Sequence, residues 1–269
     1  MVIVFGKVTD SAQAVGTSMS KDDCFDECFF GTDCILAYFN SDATCSLYNY
    51  TTTQTLTVTE TNREDDCYVA FKTSMPSDSC PVSPDLINLT VTVLNDTYHW
   101  TRTESGWSFK KCVDDWKRFY RNNSVSVCMQ YFNMSYGSNL EQARQMCQGK
   151  GYVLSGIATV EEAKWFKGKV SELTEIMYNG FWIDGERNCS EGEKCNNFTW
   201  TDGYTSENEL ESLTYNSSNF EYSYSNPYGK IENCLVISLN YYGQSLNDVS
   251  CVDSIYVWAL GAVCGYKFN

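Results

Sequence analysis

The chain has 269 residues, of which 43% are hydrophobic and 20% charged, and its formal net charge is −15. This length predicts two ordinary domains, and this composition excludes a disordered chain. The negative charge argues against nucleic acid as a partner, because binding to a phosphate backbone needs clustered lysines and arginines. The most apolar stretch, residues 255–266, is too short for a membrane span, which needs about 20 residues, so we expect a buried strand there.

The 14 cysteines indicate an oxidising compartment. Metal binding by cysteine would need tight Cys/His clusters, and the only histidine is His99. A disulfide framework in an extracellular, secreted protein therefore explains the cysteines better. Acceptor sequences for N-glycosylation (N-x-S/T) support this interpretation and begin at Asn49, Asn88, Asn95, Asn122, Asn133, Asn188, Asn197 and Asn216.

The segment Met1–Gly6 predicts a strand that ends in a glycine turn. It is too short to hold the charged region, apolar region and cleavage site of a signal peptide. We expect a signal peptide to have been removed from this sequence.

The cysteines fall into two even groups, so each part of the chain could be oxidised by itself. The first group is Cys24, Cys28, Cys34, Cys45, Cys67 and Cys80, and the second is Cys112, Cys128, Cys147, Cys189, Cys195, Cys234, Cys251 and Cys264. Three of the four prolines lie where the first group ends, in residues 76–84 around Cys80. We predict a first domain over 1–80, a connector with strand character over 81–111 and a second domain over 112–269.

The first domain predicts one helix among short strands. Ser20 has the character of a helix N-cap, and the following Cys24 and Cys28 would share one helix face. Alternating or apolar runs predict strands over 35–39, 51–59 and 67–71.

The second domain begins with two amphipathic helices. Ser138 with Glu141, and Thr159 with Glu162, have the spacing of capping boxes. No further helix is predicted after residue 173, where the sequence is aromatic and punctuated by glycine, as is typical of short strands with long loops.

Several motifs of the second domain occur in a recognisable order. Phe181–Gly185 reads F-W-I-D-G, Phe198–Gly203 reads F-T-W-T-D-G, and Asn247–Cys251 reads N-D-V-S-C. In this order, residues 112–269 resemble a C-type lectin-like domain. The resemblance implies an α+β fold with two helices, two small antiparallel sheets and a long loop.

The resemblance also implies a set of disulfides. In the family, Cys147 pairs with Cys264, and Cys234 pairs with Cys251 at the base of the long loop. Cys189 and Cys195 would close a local loop. Cys112 and Cys128 are placed like the N-terminal hairpin bridge of long-form members.

The first domain is similar to the small disulfide-rich PAN-like (CW) module. The segments that carry this likeness are Cys24–Cys28, Cys34–Tyr38, Cys45–Tyr50 and Tyr68–Lys72. The likeness implies the pairs Cys24–Cys45 and Cys28–Cys34. This domain combination resembles nematode secreted C-type lectin-like proteins, which implies surface or innate immune recognition.

Carbohydrate-binding members of the lectin family hold a Ca²⁺ ion with side-chain oxygens from the long loop and the next strand. The ligand positions carried over are Asn226, Glu232, Asn247 and Asp248. Tyr228 stands where the family has an acid or an amide, and a tyrosine cannot replace that ligand. The calcium site, if it works, is expected to be weak.

Two interpretations of these residues stay open. In one, a weakened Ca²⁺ site binds a glycan or glycoprotein, with sugar docking on rings such as Tyr228, Tyr241 and Tyr242. In the other, the site is a relic, and the fold is a calcium-independent scaffold for protein or glycan interaction.

We do not expect an enzyme. A Ser-His-Asp or Cys-His site would depend on His99 alone, and bridged cysteines offer no thiolate. The many acids of a chain with this charge are typical of a solvated surface, and no carboxylate pair stands out for glycoside hydrolysis.

Overall fold

A computed structural model describes residues 1–9, 16–73, 88–93, 96–114, 116–121, 125–135, 137–187, 198–206, 232–239, 245–252 and 259–268. The chain divides into two compact units, Met1–Asp114 and Asp115–Asn269. Among the helices of the described ranges, none is long and apolar enough to cross a membrane. The bounds of the three predicted segments stay predictions.

The first unit is built on an eight-stranded sheet. Its strands and those of a separate hairpin are β1 (Val2–Val8), β2 (Thr17–Ser18), β3 (Cys34–Phe39), β4 (Thr44–Asn49), β5 (Thr55–Glu60), β6 (Tyr68–Phe71), β7 (Thr90–Val93), β8 (Asp96–His99), β9 (Thr101–Thr103) and β10 (Gly106–Lys110). The order in the sheet is β2-β4-β3-β6-β1-β5-β10-β9, and β7 pairs with β8. The strand predicted over 51–59 begins only at Thr55.

Helix α1 (Lys21–Phe30) is held on this sheet by two disulfides. Cys24 is bonded to Cys45 and Cys28 to Cys34, the pairs that the PAN-like resemblance named. The Ser20 hydroxyl oxygen accepts a hydrogen bond from the Asp23 backbone N–H, as the N-cap prediction requires. Because both bridged cysteines of the helix are fully buried, the disulfides form part of its packing face.

The glycine turn predicted at Gly6 is wrong. Strand β1 continues through Gly6 to Val8, pairing first with β6 and then with β5. A Cβ atom at Gly6 would lie 3.1 Å from the backbone oxygen of Thr59, which is tighter than an ordinary contact. Glycine therefore serves close strand packing at this position.

The predicted connector spans residues 81–111, of which the structure describes 88–93 and 96–111. These described residues contribute to the core of the first unit. Strand β10 pairs with β5 along Gly106–Lys110. Trp100, Trp107 and Phe109 are buried, and the Phe71 ring lies 4.8 Å from Trp100 and 5.3 Å from Trp107. The segment is thus a structural element of the first unit.

The second unit is built on one sheet whose strands are β11 (Lys117–Tyr120), β12 (Ser126–Asn133), β13 (Val153–Leu154), β14 (Gly180–Arg187), β15 (Phe198–Thr199), β16 (Cys234–Ser238), β17 (Leu246–Val249) and β18 (Ala259–Phe268). The order is β11-β12-β18-β14-β16-β17, with β13 on β18 and β15 on β14. The predicted α+β fold class is confirmed. One detail differs, because the described strands join in a single sheet in which β14 and β18 run parallel.

Two helices accompany this sheet, α2 (Leu140–Gly149) and α3 (Val160–Leu173). The capping box of Thr159 and Glu162 is present at α3. The box predicted from Ser138 is wrong by one residue, because the N-cap of α2 is Asn139 and its partner is Gln142. Ser138 lies before the helix, where its hydroxyl donates to the Ser135 carbonyl.

A disulfide and a tryptophan connect α2 to the sheet. Cys147 of α2 is bonded to Cys264 of β18, the pair that the lectin resemblance named. The buried Trp182 of β14 donates its indole N–H to the carbonyl of Ser138, at 2.7 Å. Both ends of α2 are therefore fixed to the sheet.

Of the other cysteines, some are disulfide-bonded, one is free, and three lie outside the described residues. Cys234 is bonded to Cys251. Cys112 and Cys128 are both disulfide-bonded. Cys67 is a free, half-buried thiol. Cys80, Cys189 and Cys195 lie outside the described residues, so the pairing of Cys189 with Cys195 stays a prediction.

The N-cap of α2 is testable by substitution. We expect Asn139→Ala to lower the free energy of unfolding of the second unit by about 1 kcal/mol, because the Gln142 N–H loses its acceptor. Asn139→Asp should cost little, since its carboxylate accepts the same bond. Urea unfolding followed by tryptophan fluorescence measures both, and equal stability of the alanine and aspartate variants would contradict the assignment.

Candidate functional site

Three of the predicted calcium ligands lie around the end of strand β16. Glu232 comes two residues before this strand, and Asn247 and Asp248 lie in the neighbouring strand β17. Asp248 is paired in register with Leu235, and Cys234–Cys251 joins the same two strands. The structure therefore brings these three residues together. Asn226, Tyr228, Tyr241 and Tyr242 lie outside the described residues.

Arg187, which sequence reasoning missed, forms an ion pair with the carboxylate of Asp248. Its guanidinium Nη2 donates to Asp248 Oδ2, and the two side chains are only 1% and 4% exposed. Arg187 is the last residue of β14, on the other side of β16 from β17. The pair therefore spans three strands of the sheet.

The surroundings hold this guanidinium in place. Arg187 Nε donates to the backbone oxygen of Glu232 at 3.3 Å, and its backbone N–H donates to the Asn233 carbonyl at 2.7 Å. The ring of Phe198 lies 4.9 Å from the guanidinium carbon, a cation–π distance. Asp248 thus faces a cation that is itself packed and hydrogen-bonded.

These residues do not fit a calcium ion as they are placed. A Ca²⁺ ion needs six to eight oxygen ligands, and an ion on Asp248 would sit against the positive guanidinium of Arg187. Within the described ranges, no group of three or more His, Cys, Asp or Glu side chains is placed to hold a metal. The donor set predicted from the sequence is committed in part to an internal ion pair.

Burial governs the protonation of Asp248. The pKa of its carboxyl is raised to about 7, chiefly by removal from water and in smaller part by the negative charge of Glu232. The positive charge of Arg187 and the hydrogen bonds to the carboxylate act in the opposite direction. Burial likewise raises the pKa of Asp184 and Glu162 in this unit.

The acids of the F-W-I-D-G and F-T-W-T-D-G motifs have structural partners. Asp202 accepts hydrogen bonds from the backbone N–H groups of Gly156, Tyr204 and Thr205. Asp184 accepts from the backbone N–H groups of Thr201 and Asp202. These carboxylates therefore bind the turn to β14, which accounts for the motif without a ligand.

The sequon asparagines that the structure describes, Asn49, Asn88 and Asn133, are all exposed. Exposure is what an N-glycosylation site requires. His99, the only histidine, is also exposed, with Nδ1 3.5 Å from Asn88 Oδ1. The other sequon asparagines lie outside the described residues.

The Arg187–Asp248 pair can be tested by a double-mutant cycle. At pH 8, where the Asp248 carboxyl is ionised, we expect Arg187→Met to lower the free energy of unfolding by about 3–5 kcal/mol, because it leaves a buried carboxylate unpaired. Arg187→Met combined with Asp248→Asn should cost clearly less than the sum of the two single changes. As a control, Lys169→Met breaks the exposed pair with Glu172 and should cost at most about 1 kcal/mol. Additive single changes would contradict the pair.

The pKa of Asp248 predicts the sign of a pH effect. A carboxyl whose folded-state pKa is raised holds its proton more tightly in the folded chain than in the unfolded chain. Its stabilising contribution is therefore present below about pH 4 and is lost as pH rises through about 7, at about 1.4 kcal/mol per unit of pKa elevation. Unfolding free energies measured from pH 4 to pH 8 should fall more steeply for the unsubstituted protein than for Asp248→Asn, and parallel curves would refute it.

Comparison with known proteins bears on both units. Residues 1–73 match the model of the PAN-like domain, and residues 136–259 match that of the C-type lectin domain. A search of curated proteins found no match.

Among solved structures, the chain is similar to the carbohydrate-recognition domain of cow CD23, at 21% identity and a TM-score of 0.37, over 59% of this chain and 98% of that one. The mouse scavenger receptor C-type lectin domain is 20% identical, with a TM-score of 0.37 over 59% and 100% of the two chains. The lectin CEL-I of Cucumaria echinata is 18% identical, with a TM-score of 0.40 over 59% and 99%. The chain combines a disulfide-rich PAN-like region with a C-type lectin fold.

Proposed function

We propose that this protein is an extracellular recognition protein whose second unit binds a glycan or glycoprotein without a calcium ion on Asp248. The match of residues 136–259 to the C-type lectin domain supports carbohydrate recognition. The buried Arg187–Asp248 pair is the observation that carries the calcium-independent form of the proposal. Recognition, not catalysis, is the proposed activity.

The role of Arg187 in this proposal follows from charge. The carboxylates around a metal site need a positive partner, because several acids brought together without one repel each other and pay for desolvation. Arg187 supplies that charge from within the chain and reaches both Asp248 and the backbone of Glu232. The strand ends that flank the long loop would then keep their arrangement with no ion bound.

The extracellular location is supported by the disulfides and the sequons. Cys24–Cys45, Cys28–Cys34, Cys147–Cys264 and Cys234–Cys251 are all formed in the structure. Disulfides of this density persist in oxidising compartments and are rare in the cytosol. The exposure of Asn49, Asn88 and Asn133 agrees with N-glycosylation in the secretory pathway.

The test compares binding and stability with and without calcium. The oxidised protein is screened on a glycan array, and its thermal unfolding is recorded, in millimolar Ca²⁺ and in EDTA. We expect the same glycans to be retained and the same melting temperature in both buffers. A working calcium site would raise the melting temperature by mass action, since an ion at 100 times its Kd adds about 2.7 kcal/mol.

A matched variant separates calcium-independent from calcium-dependent recognition. Arg187→Met removes the internal cation, while Lys164→Met removes an exposed lysine of α3 and serves as the control. A calcium-dependent rise in melting temperature should be absent from the unsubstituted protein and the control alike. Loss of glycan binding in EDTA would overturn calcium independence. Retention of no glycan in either buffer would overturn carbohydrate recognition and favour a scaffold for protein interaction.

A further inference from the structure

A groove lies between strand β12 and helix α3 of the second unit, apart from the residues predicted to bind calcium. Its volume is about 540 Å³, and it is lined by Gln130, Tyr131, Phe132, Asn133, Trp165 and Lys169. This volume falls within the range of about 300–1,000 Å³ that is usual for pockets of drug-sized ligands. The groove mixes aromatic side chains with amides and an ammonium group.

Asn133 places an N-glycosylation sequence on the wall of this groove. It is the last residue of β12, it is exposed, and with Met134 and Ser135 it forms the acceptor sequence N-M-S. Side chains two residues apart in a strand share a face, so Asn133 lies on the same side as Tyr131. Tyr131 stacks on the core ring of Phe181, with the ring centroids 4.8 Å apart. Both rings therefore lie on the side of the sheet that α3 covers.

Trp165 is held at the groove by contacts on its inner side. Its ring makes edge contacts with Phe166 at 4.8 Å and Phe119 at 5.8 Å. The Lys169 ammonium lies 5.5 Å from the ring and also pairs with Glu172 at 2.9 Å. The tryptophan is only half-buried, so part of a fixed aromatic surface borders the groove.

We propose that Asn133 carries an N-linked glycan and that the first sugars of this glycan lie in the groove against Trp165. The groove is therefore a seat for a covalently attached carbohydrate of the same chain. The proposal rests on the extracellular location proposed above. Its occupant follows from the attachment point, because any sugar bonded to Asn133 starts at the groove wall.

The modification is a balanced group transfer. The donor is an oligosaccharide linked through a diphosphate to a lipid, as the secretory pathway supplies. The amide nitrogen of Asn133 bonds to the anomeric carbon of the first N-acetylglucosamine and loses one proton. The bond from that carbon to the diphosphate oxygen breaks, and the lipid diphosphate leaves with the electron pair.

The groove has the chemistry that a pyranose ring needs. The C–H groups of a sugar ring carry partial positive charge and pack on the negative face of an aromatic ring such as Trp165. The hydroxyl and acetamido groups need polar partners, which the Lys169 ammonium offers at the same groove. Sugar and protein would exclude water from each other's surface, so the glycan should stabilise the second unit.

The experiment uses the protein secreted from a glycosylating cell. Peptide mapping should find a glycan on Asn133. Ser135→Ala, which removes the acceptor sequence and leaves Asn133 in place, should lower the melting temperature by about 2–4 °C. Enzymatic trimming to a single N-acetylglucosamine should keep most of the stabilisation, and complete removal of the glycan should abolish it.

A second background shows whether the glycan acts through Trp165. In Trp165→Leu, the change Ser135→Ala should no longer alter the melting temperature. If Trp165→Leu fails to fold, nuclear Overhauser contacts between the first sugar and a tryptophan ring are sought in the unsubstituted glycoprotein. Equal effects of Ser135→Ala in both backgrounds, or absence of these contacts, would overturn the proposal that the first sugars lie against Trp165.

The control is Asn49→Gln, at an exposed sequon in the first unit. The effect of Asn49→Gln on the melting temperature should be the same in the unsubstituted protein and in Trp165→Leu. Glycans on other sequons with none on Asn133 would overturn the inference while leaving secretion intact. A protein secreted with no glycan on any sequon would also overturn it, and a protein that is not secreted would count against the proposed extracellular function.

Discussion

Strand β18 is the constraint on which the second unit depends. It is hydrogen-bonded to β12 and β13, runs parallel to β14, and is bridged to α2 through Cys264. The Cys147–Cys264 bridge joins two residues that are 117 positions apart in the chain. Crosslinking so distant residues removes a large loop entropy from the unfolded chain. The loops between these elements can therefore vary without loss of the frame.

Buried charge is the second organising feature, and arginine supplies its positive part. Arg121 pairs with Glu162 through two hydrogen bonds, of 2.8 and 3.1 Å, with both side chains fully buried. Arg187 and Asp248 form the comparable pair between β14 and β17. The guanidinium presents several donors in one plane, so it can satisfy a carboxylate and backbone oxygens together. An ammonium in the same place could not match that geometry.

Much of this fold could be predicted from the sequence, because local rules and family motifs agreed. The strands over 35–39 and 67–71, the cap at Ser20 and the capping box at Thr159 follow from patterns a few residues long. The cap of α2 was misplaced because Ser138 and Asn139 are both good caps, and the choice between them depends on Trp182, which takes the Ser138 carbonyl. Periodicity has no means of detecting such a distant contact.

The candidate site was predicted less completely for the same reason. The motif positions of Glu232, Asn247 and Asp248 were readable, but the partner of Asp248 lies 61 residues away, at the end of the strand that carries the F-W-I-D-G motif. The available signal was an arginine at the end of the F-W-I-D-G strand in a strongly acidic chain. An arginine there could equally have faced solvent, and only the sheet order decides between the two.

Strand β1 has a consequence for how the first unit is made. It lies in the middle of its sheet, with β6 on one side and β5 on the other, although both partner strands come later in the chain. Its partners emerge from the ribosome some 50 to 70 residues later, and β10 follows only at residues 106–110. The nascent strand must therefore wait unpaired, and such late, non-local pairing slows folding. An exposed hydrophobic strand in that interval is a natural client for chaperones of the compartment in which the chain folds.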